Sequence, residues 1–342
     1  MRINVKKLMR KVITSNKTIR KTIRNTYYLL EKYKHYFINY HEINVNSLKA
    51  SPCLKCRNYD MDTDLLIYTC VDEKYYWAGI LFPIYALTTN PNALVEVGIT
   101  NWNSFKRQYP LLIDYYEKNY SGRIMFSEIP ETGIGLGSAR FIIQPYFKSK
   151  YIYIGDADIL ILEDILNPHL NHIKCENIDF SNIVRKTGDA NNKKLTGLHF
   201  IGYKKMFPTV IPDNLIKKGE IFSLCDENLL YILMKNRGYR FPDKNDVFRP
   251  IHGYHVSFYN RPPLPSLATN DSMTDYPSWF EKDKTHKIKE HYIRLYREIR
   301  NSKQIKNFYN CIIAENIELR KIIQFADMAN EFVLNNYLKN VL

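Results

Sequence analysis

From Asp64 to Ile154 the chain alternates short apolar, β-branched runs with segments of helical periodicity, and this alternation restricts the fold more than any other feature. Leu65–Cys70, Leu94–Ile99, Arg123–Phe126 and Tyr151–Ile154 have strand character; Tyr75–Leu87, Ser104–Lys118 and Ser138–Phe147 have the spacing of helices. Strands with apolar residues on both sides, separated by helices, predict a mostly parallel sheet buried on both faces. Leu198–Tyr203 reads as a further strand and Asp226–Asn236 as a helix. The predicted class is α/β, a Rossmann-like, mostly parallel sheet covered by helices on both faces. Helical additions are expected at both ends, giving three parts: 1–60, 61–275 and 276–342.

Charge is unevenly placed. Residues 1–34 hold eleven Lys or Arg against the single acid Glu31, so +10 of the net +14 sits in one amphipathic arm. A nearly neutral body with no recognisable reader motif argues against nucleic acid as a partner. A cationic amphipathic arm reads as an anchor for an anionic membrane surface. No apolar run of about 18 residues and no secretory h-region occurs, so the expected location is the cytoplasm, peripheral on the inner face of the membrane. The pair Cys53 and Cys56 has no second pair to complete a zinc site, and free thiols are expected.

The sharpest chemical signal is Tyr151-Ile-Tyr-Ile-Gly-Asp156-Ala-Asp158-Ile-Leu-Ile-Leu. Two carboxylates one residue apart, at the carboxyl end of a central strand, stand where open α/β sheets bind ligands. Hard oxygen donors there suit Mg²⁺ or Mn²⁺ held together with substrate phosphates. Phosphatases of the haloacid-dehalogenase type also carry such a pair, with the first Asp as nucleophile, but on their first strand. Here three strand candidates precede it, and Gly188-Asp189 is the only downstream hint of a second acidic motif.

Around this pair the chain resembles metal-dependent GT-A glycosyltransferases, most nearly the retaining family 8, in separate blocks from about Asp64 to Pro263. Ile67-Tyr-Thr69-Cys-Val-Asp72-Glu-Lys-Tyr75 looks like the family's opening strand and D-x-x-Y turn. Arg140 lies sixteen residues before Asp156, near the family's spacing for an Arg that reaches the donor. Leu195-Thr-Gly197 is similar to its N-x-G strand start, with Leu for Asn. Cys225-Asp226-Glu227 resembles its Asp-Gln pair, with Glu for Gln. His252-Gly-Tyr-His255 through Arg261-Pro-Pro263 looks like its H-x-x-G-x-x-K-P-W ending, His255 setting Arg261 at the required offset.

The resemblance implies a metal-dependent transfer of a sugar from a nucleotide-sugar, a UDP-sugar by family habit, to a glycan or lipid-linked saccharide, with retention, as in polysaccharide biosynthesis. It implies Asp156, Asp158 and His255 as ligands of Mn²⁺ or Mg²⁺. Thr69, Asp72, Tyr75, Arg140, Ala157, Gly197 and Arg261 would bind the nucleotide-sugar, with Asp226 and Arg140 at the reacting sugar. A nucleotidyltransferase that makes nucleotide-sugars shares the sheet and the metal logic. Its Gly-rich phosphate loop is not visible after Cys70.

Overall fold

The computed structural model describes residues 47–54, 63–185, 193–217, 219–243, 248, 252–255 and 294–316, together with 319, 320, 323 and 327. The basic arm, residues 1–34, and Arg261 lie outside the described residues, as does most of 276–342 before the closing helices.

Seven strands form the main sheet: β1 (Ser51–Pro52), β2 (Leu65–Val71), β3 (Leu94–Ile99), β4 (Ile124–Glu128), β5 (Tyr151–Ile154), β7 (Phe180–Ser181) and β10 (His199–Gly202), with β6 (Ile159–Ile161) apart in a separate two-stranded sheet. The sheet order is β1-β4-β3-β2-β5-β10-β7. β2, β3, β4 and β5 run parallel, while β1, β10 and β7 are antiparallel to their neighbours. Every residue of β2 and β3 is buried, as strands covered on both faces require.

The parallel strands in the order β4-β3-β2-β5 wind outward both ways from the middle. The switch point of this doubly wound pattern falls between β2 and β5, and the crevice beyond their carboxyl ends is where such sheets take ligands. Asp72 follows β2 there, and Asp156 follows β5. The topology therefore brings two carboxylates 84 positions apart to one crevice.

Helix α1 (Tyr76–Thr89) packs on β2, β3 and β6 and buries almost its whole circumference. A helix that is apolar all round needs a second cover. That cover is α9 (Lys303–Glu315), where Tyr309 and Tyr85 share a hydroxyl–hydroxyl bond. Arg300 stacks 3.9 Å over the Tyr309 ring and pairs with Asp327, so polar groups in this joint are satisfied rather than stranded.

Two expected helices differ. Ser104–Lys118 is two helices, α2 (Trp102–Gln108) and α3 (Pro110–Tyr120), because Pro110 has no N–H to continue the first and starts the second. Of Ser138–Phe147 only the first two residues are helical, in α4 (Leu136–Ala139). Beyond it Pro145 breaks the pattern, and the buried Glu96 carboxylate draws the chain away by accepting from Tyr146 N (3.0 Å) and Phe147 N (2.9 Å). Ser127 Oγ donates to the same carboxylate at 2.7 Å, and burial pushes Glu96 up to about 7.

After β6 come α5 (Leu166–Glu176), the hairpin of β8 (Val184–Arg185) with β9 (Lys194–Leu195), α6 (Tyr203–Met206), α7 (Asp213–Lys217) and α8 (Asp226–Asn236). β11 (Gly253–His255) pairs antiparallel with β6, Gly253 opposite Ile161 and His255 opposite Ile159. A Cβ at Gly253 would lie 1.8 Å from the Leu160 carbonyl oxygen, so this pairing admits only glycine.

Candidate active site

Asp156 and Asp158 stand in a tight turn between β5 and β6, closed by Ile159 N donating to Asp156 O at 3.2 Å. Gly155 N continues the parallel ladder onto Tyr68 O at 3.1 Å, which fixes the turn to the sheet. Ala157 and Asp158 are buried in it, and Asp156 is about a third exposed (36%). Apolar flanks on both sides explain why the turn is held close to the core rather than standing free in solvent.

Arg140, 4% exposed, follows α4 directly. Its Nη1 donates to Gly155 O at 2.8 Å and to Asp156 Oδ1, and its Nη2 donates to Asp226 Oδ2 at 3.0 Å. Burial alone would weaken its charge, but the adjacent Asp156 and Asp226 outweigh that and hold the guanidinium above its ordinary range. The Arg fork thus ties the end of β5 to the first residue of α8. Asp226 does not cap its own helix; Cys225 is the N-cap residue and makes no side-chain cap bond.

Gly197 lies against this triad. A Cβ there would be 2.6 Å from Arg140 Nη2, 3.3 Å from Asp156 Oδ1 and 3.5 Å from Asp226 Oδ2. Any side chain at 197 would displace the ion pairs.

Asp156, Ala157, Asp158, Asp226 and Arg140 line a cleft of about 380 Å³ together with Asp72, Tyr75, Cys70, Val71, Leu136 and Gly137. Asp72 Oδ1 is shut off from solvent with no partner among the described residues, an acceptor waiting for a donor. Four carboxylates against one guanidinium leave the lining at a formal −3. Of the residues the sequence singles out, Thr69 is fully buried within β2 and does not line the cleft.

His255 stands opposite Ile159, the residue after Asp158, and its side chain lies outside the described part. His252 has both ring nitrogens occupied. Nε2 meets His169 Nε2 at 2.9 Å and Nδ1 meets Glu163 Oε2 at 3.4 Å, while Leu162 N donates to the His252 carbonyl at 2.8 Å. Beyond it, His169 Nδ1 (2.7 Å) and His172 Nδ1 (2.6 Å) share Ser181 Oγ. His169 and Phe200 stack at 4.7 Å, and burial drives His169 well below the ordinary imidazole range. Nothing in the sequence spacing signals this cluster, because its members come from α5, β7 and the start of β11.

The hard oxygens of Asp156 and Asp158 and the negative lining suit a divalent cation. Among the described residues no group of three His, Cys, Asp or Glu forms a complete metal site. Cys53, Cys70, Cys175, Cys225 and Cys311 are free, and Cys56 lies outside the described residues. No helix among the described residues is long and apolar enough to cross a membrane.

No family model matches the chain, and no curated protein does. Among solved structures, the chain is similar to the glycosyltransferase GlyE of Streptococcus pneumoniae TIGR4, at 14% identity and a TM-score of 0.37 over 52% of this chain and 44% of that one. It is similar to the galactosyltransferase LgtC in complex with donor and acceptor sugar analogs, at 11% identity and a TM-score of 0.40, over 61% of this chain and 94% of that one. The bifunctional glycosyltransferase WbbM gives 10% identity and a TM-score of 0.31, over 75% and 53%. The chain spans less than half the length of the GlyE structure it matches.

Proposed function

We propose that the chain is a glycosyltransferase that uses a divalent cation and a nucleotide-sugar, a UDP-sugar by family resemblance, and transfers the sugar with retention to a saccharide or lipid-linked saccharide. The observation that carries this reading is the charge of the cleft. A pocket at the switch point with a formal −3 lining repels a bare diphosphate, and a divalent cation held with the diphosphate offsets two of those three charges. The same charge disfavours a site built for an anion alone.

In this reading Asp156 and Asp158 would hold the cation, with His255 as third ligand. When bound, the cation would offset the charge that develops on the leaving nucleotide. Asp72 accepts from a base or ribose donor through its unpartnered Oδ1, and Tyr75 offers its ring beside it. Asp226, at the head of α8, faces the sugar. Arg140, with both terminal nitrogens committed to Asp156 and Asp226, orients these carboxylates rather than gripping the diphosphate itself. Residues 1–34 attach the protein to an anionic membrane surface, and Arg261 contributes positive charge to the diphosphate.

A nucleotide-sugar hydrolysis screen with and without Mn²⁺ tests the reading. Slow release of nucleoside diphosphate from one donor, dependent on Mn²⁺ and retained after residues 1–34 are deleted, is the expected result. Metal-independent release, or phosphate release from a simple phosphomonoester instead, overturns it.

A further inference from the structure

We infer that Asn182 is a positioning residue for glycosyl transfer: it fixes Thr196 and so sets how closely the Gly197 backbone bears on the Arg140–Asp156–Asp226 triad. This inference rests on the proposed function of that cleft.

Asn182 is fully buried in the turn after β7 and is not part of the cleft lining. Its Oδ1 accepts from Thr196 N (2.9 Å), from the Thr196 hydroxyl (2.7 Å) and from Ile183 N (2.6 Å). Its Nδ2 donates to the Thr196 carbonyl at 3.1 Å and to His199 Nδ1 at 3.1 Å. One carboxamide therefore grips the N–H, the C=O and the side chain of a single residue fourteen positions along the chain. The next residue is Gly197, whose absent Cβ is what leaves room for the ion pairs. From the other side, β10 anchors His199 opposite Ile154, the residue before the Gly155–Asp158 turn. The segment 196–199 is thus clamped at both ends, with Gly197 between the clamps.

The orientation of the amide is enforced as well. His199 Nδ1 accepts from Asn182, so the ring proton sits on Nε2. Burial drives His199 down to about 3, and the ring stays neutral at working pH. The orientation follows from Thr196, whose N–H requires the amide oxygen and whose carbonyl requires the amide nitrogen, which leaves Nδ2 facing His199 Nδ1. A carboxylate at 182 would set oxygen against the Thr196 carbonyl.

Nucleotide recognition is assigned to Asp72, Tyr75 and the Asp156–Asp158 turn, whereas the atom nearest Gly197 is Arg140 Nη2, the nitrogen that holds Asp226, and Asp156 is held separately by Nη1. Loosening the clamp should therefore impair the chemistry at the sugar and leave nucleotide affinity alone. The test compares wild type, Asn182→Ala, Asn182→Asp and Thr196→Val for Mn²⁺-dependent donor hydrolysis, for UDP affinity by calorimetry in the presence of Mn²⁺, and for thermal unfolding. For Asn182→Ala, kcat should fall on the order of 10²-fold, since displacements of about 1 Å carry such costs. UDP affinity should stay within about threefold of wild type, the pattern of an interaction realised in the transition state. Asn182→Asp keeps the acceptor but sets a buried oxygen against the Thr196 carbonyl, so its kcat should fall at least as far as that of Asn182→Ala. Thr196→Val removes the hydroxyl that reaches Asn182 Oδ1 and the Leu198 carbonyl, spares both backbone bonds to Asn182, and keeps the test open if Asn182→Ala does not fold; it should lower kcat by about tenfold with unchanged UDP affinity.

Parallel loss of UDP affinity and turnover in the folded variants would make Asn182 a structural residue only and overturn the inference. Unchanged kcat in Asn182→Ala and Thr196→Val would overturn it too. A wild-type protein that binds UDP with Mn²⁺ but hydrolyses no nucleotide-sugar would instead remove the reading of the cleft on which the inference stands.

Discussion

Two clusters of ionisable side chains flank the short two-stranded sheet of β6 and β11, and they treat charge in opposite ways. At one end, Asp156 and Asp158 join Asp72, Asp226 and Arg140 around an open cleft. At the other, Glu163, His252, His169, Ser181 and His172 form a chain of hydrogen bonds running into the core. The cleft accumulates formal charge; the imidazole chain can be fully satisfied with each ring neutral, every N–H or O–H finding one acceptor along it. Access to water accounts for the difference. Asp156 and Asp226 are about a third exposed (36% and 30%), while His169 and His172 are buried. A charge that a ligand must meet has to stay at a wet surface, and polar groups that only hold elements together are cheaper neutral.

The largest expected effect lies on the charged side. Asp158→Asn and Asp156→Asn should each lower metal-dependent turnover on the order of 10³-fold, about 4 kcal/mol of barrier, by removing charge from the cation's donors. Both should remain folded by circular dichroism. Near-normal turnover with Mn²⁺ in either variant would show that the cleft's charge serves something else, and unfolding of both would make the turn structural.

Arg140 is where the two behaviours meet, a buried cation inside the charged cluster. Arg140→Met leaves Asp156 and Asp226 facing each other unpaired. Breaking a buried pair costs about 3–5 kcal/mol, and the partial exposure of both carboxylates screens this to about 2–3 kcal/mol of stability. Urea unfolding measures it. Arg140→Lys should recover little, because an ammonium cannot supply the planar fork that reaches both carboxylates and Gly155 O together. Full recovery by Lys would mean that point charge alone, without geometry, holds the triad.

The charged cluster was legible in the sequence and the neutral one was not, for a physical reason. Asp156 and Asp158 are close in sequence, and their apolar flanks, Tyr151–Ile154 and Ile159–Leu162, announce a turn pinned between two buried strands. The parallel half of the sheet is legible likewise, because β2 and β3 are buried on both faces and read as continuous apolar runs. In the antiparallel half, β10 lies within the expected strand Leu198–Tyr203, while β1 and β7, of two residues each, are too short for periodicity to register. Ser181 and Asn182 act through partners 9 to 17 residues away, and no local pattern encodes such pairs. The misread stretch Ser138–Phe147 failed for the same reason: the Glu96 carboxylate that captures Tyr146 and Phe147 stands about 50 positions upstream.

The smallest effect, and the one that reads the contrast most directly, is in the pH dependence of stability. Burial lowers His199 from 6.5 to about 3, so the unfolded chain binds its proton more readily. Stability from this group is complete above about 6.5 and is lost as pH falls toward 3. His169, driven down by burial and then by the neighbouring histidines, acts in the same direction. Glu96 does the reverse: burial raises it from 4.5 to about 7, so its contribution is complete below about 4.5 and is lost as pH rises through 7. Between about 4.5 and 6.5 the histidines and the glutamate oppose each other. Glu96→Gln removes the falling arm, so the variant's stability should rise with pH across this window more steeply than wild type, by up to about 1.4 kcal/mol per pH unit. The slope is the informative quantity, since Gln also gives up one of the three hydrogen bonds to the carboxylate and lowers stability at every pH. Urea midpoints taken at half-unit steps from pH 4.5 to 7 give that slope. An unchanged slope would mean that Glu96 titrates as a solvent-exposed carboxylate does, and that burial in this sheet does not by itself decide which groups keep their charge.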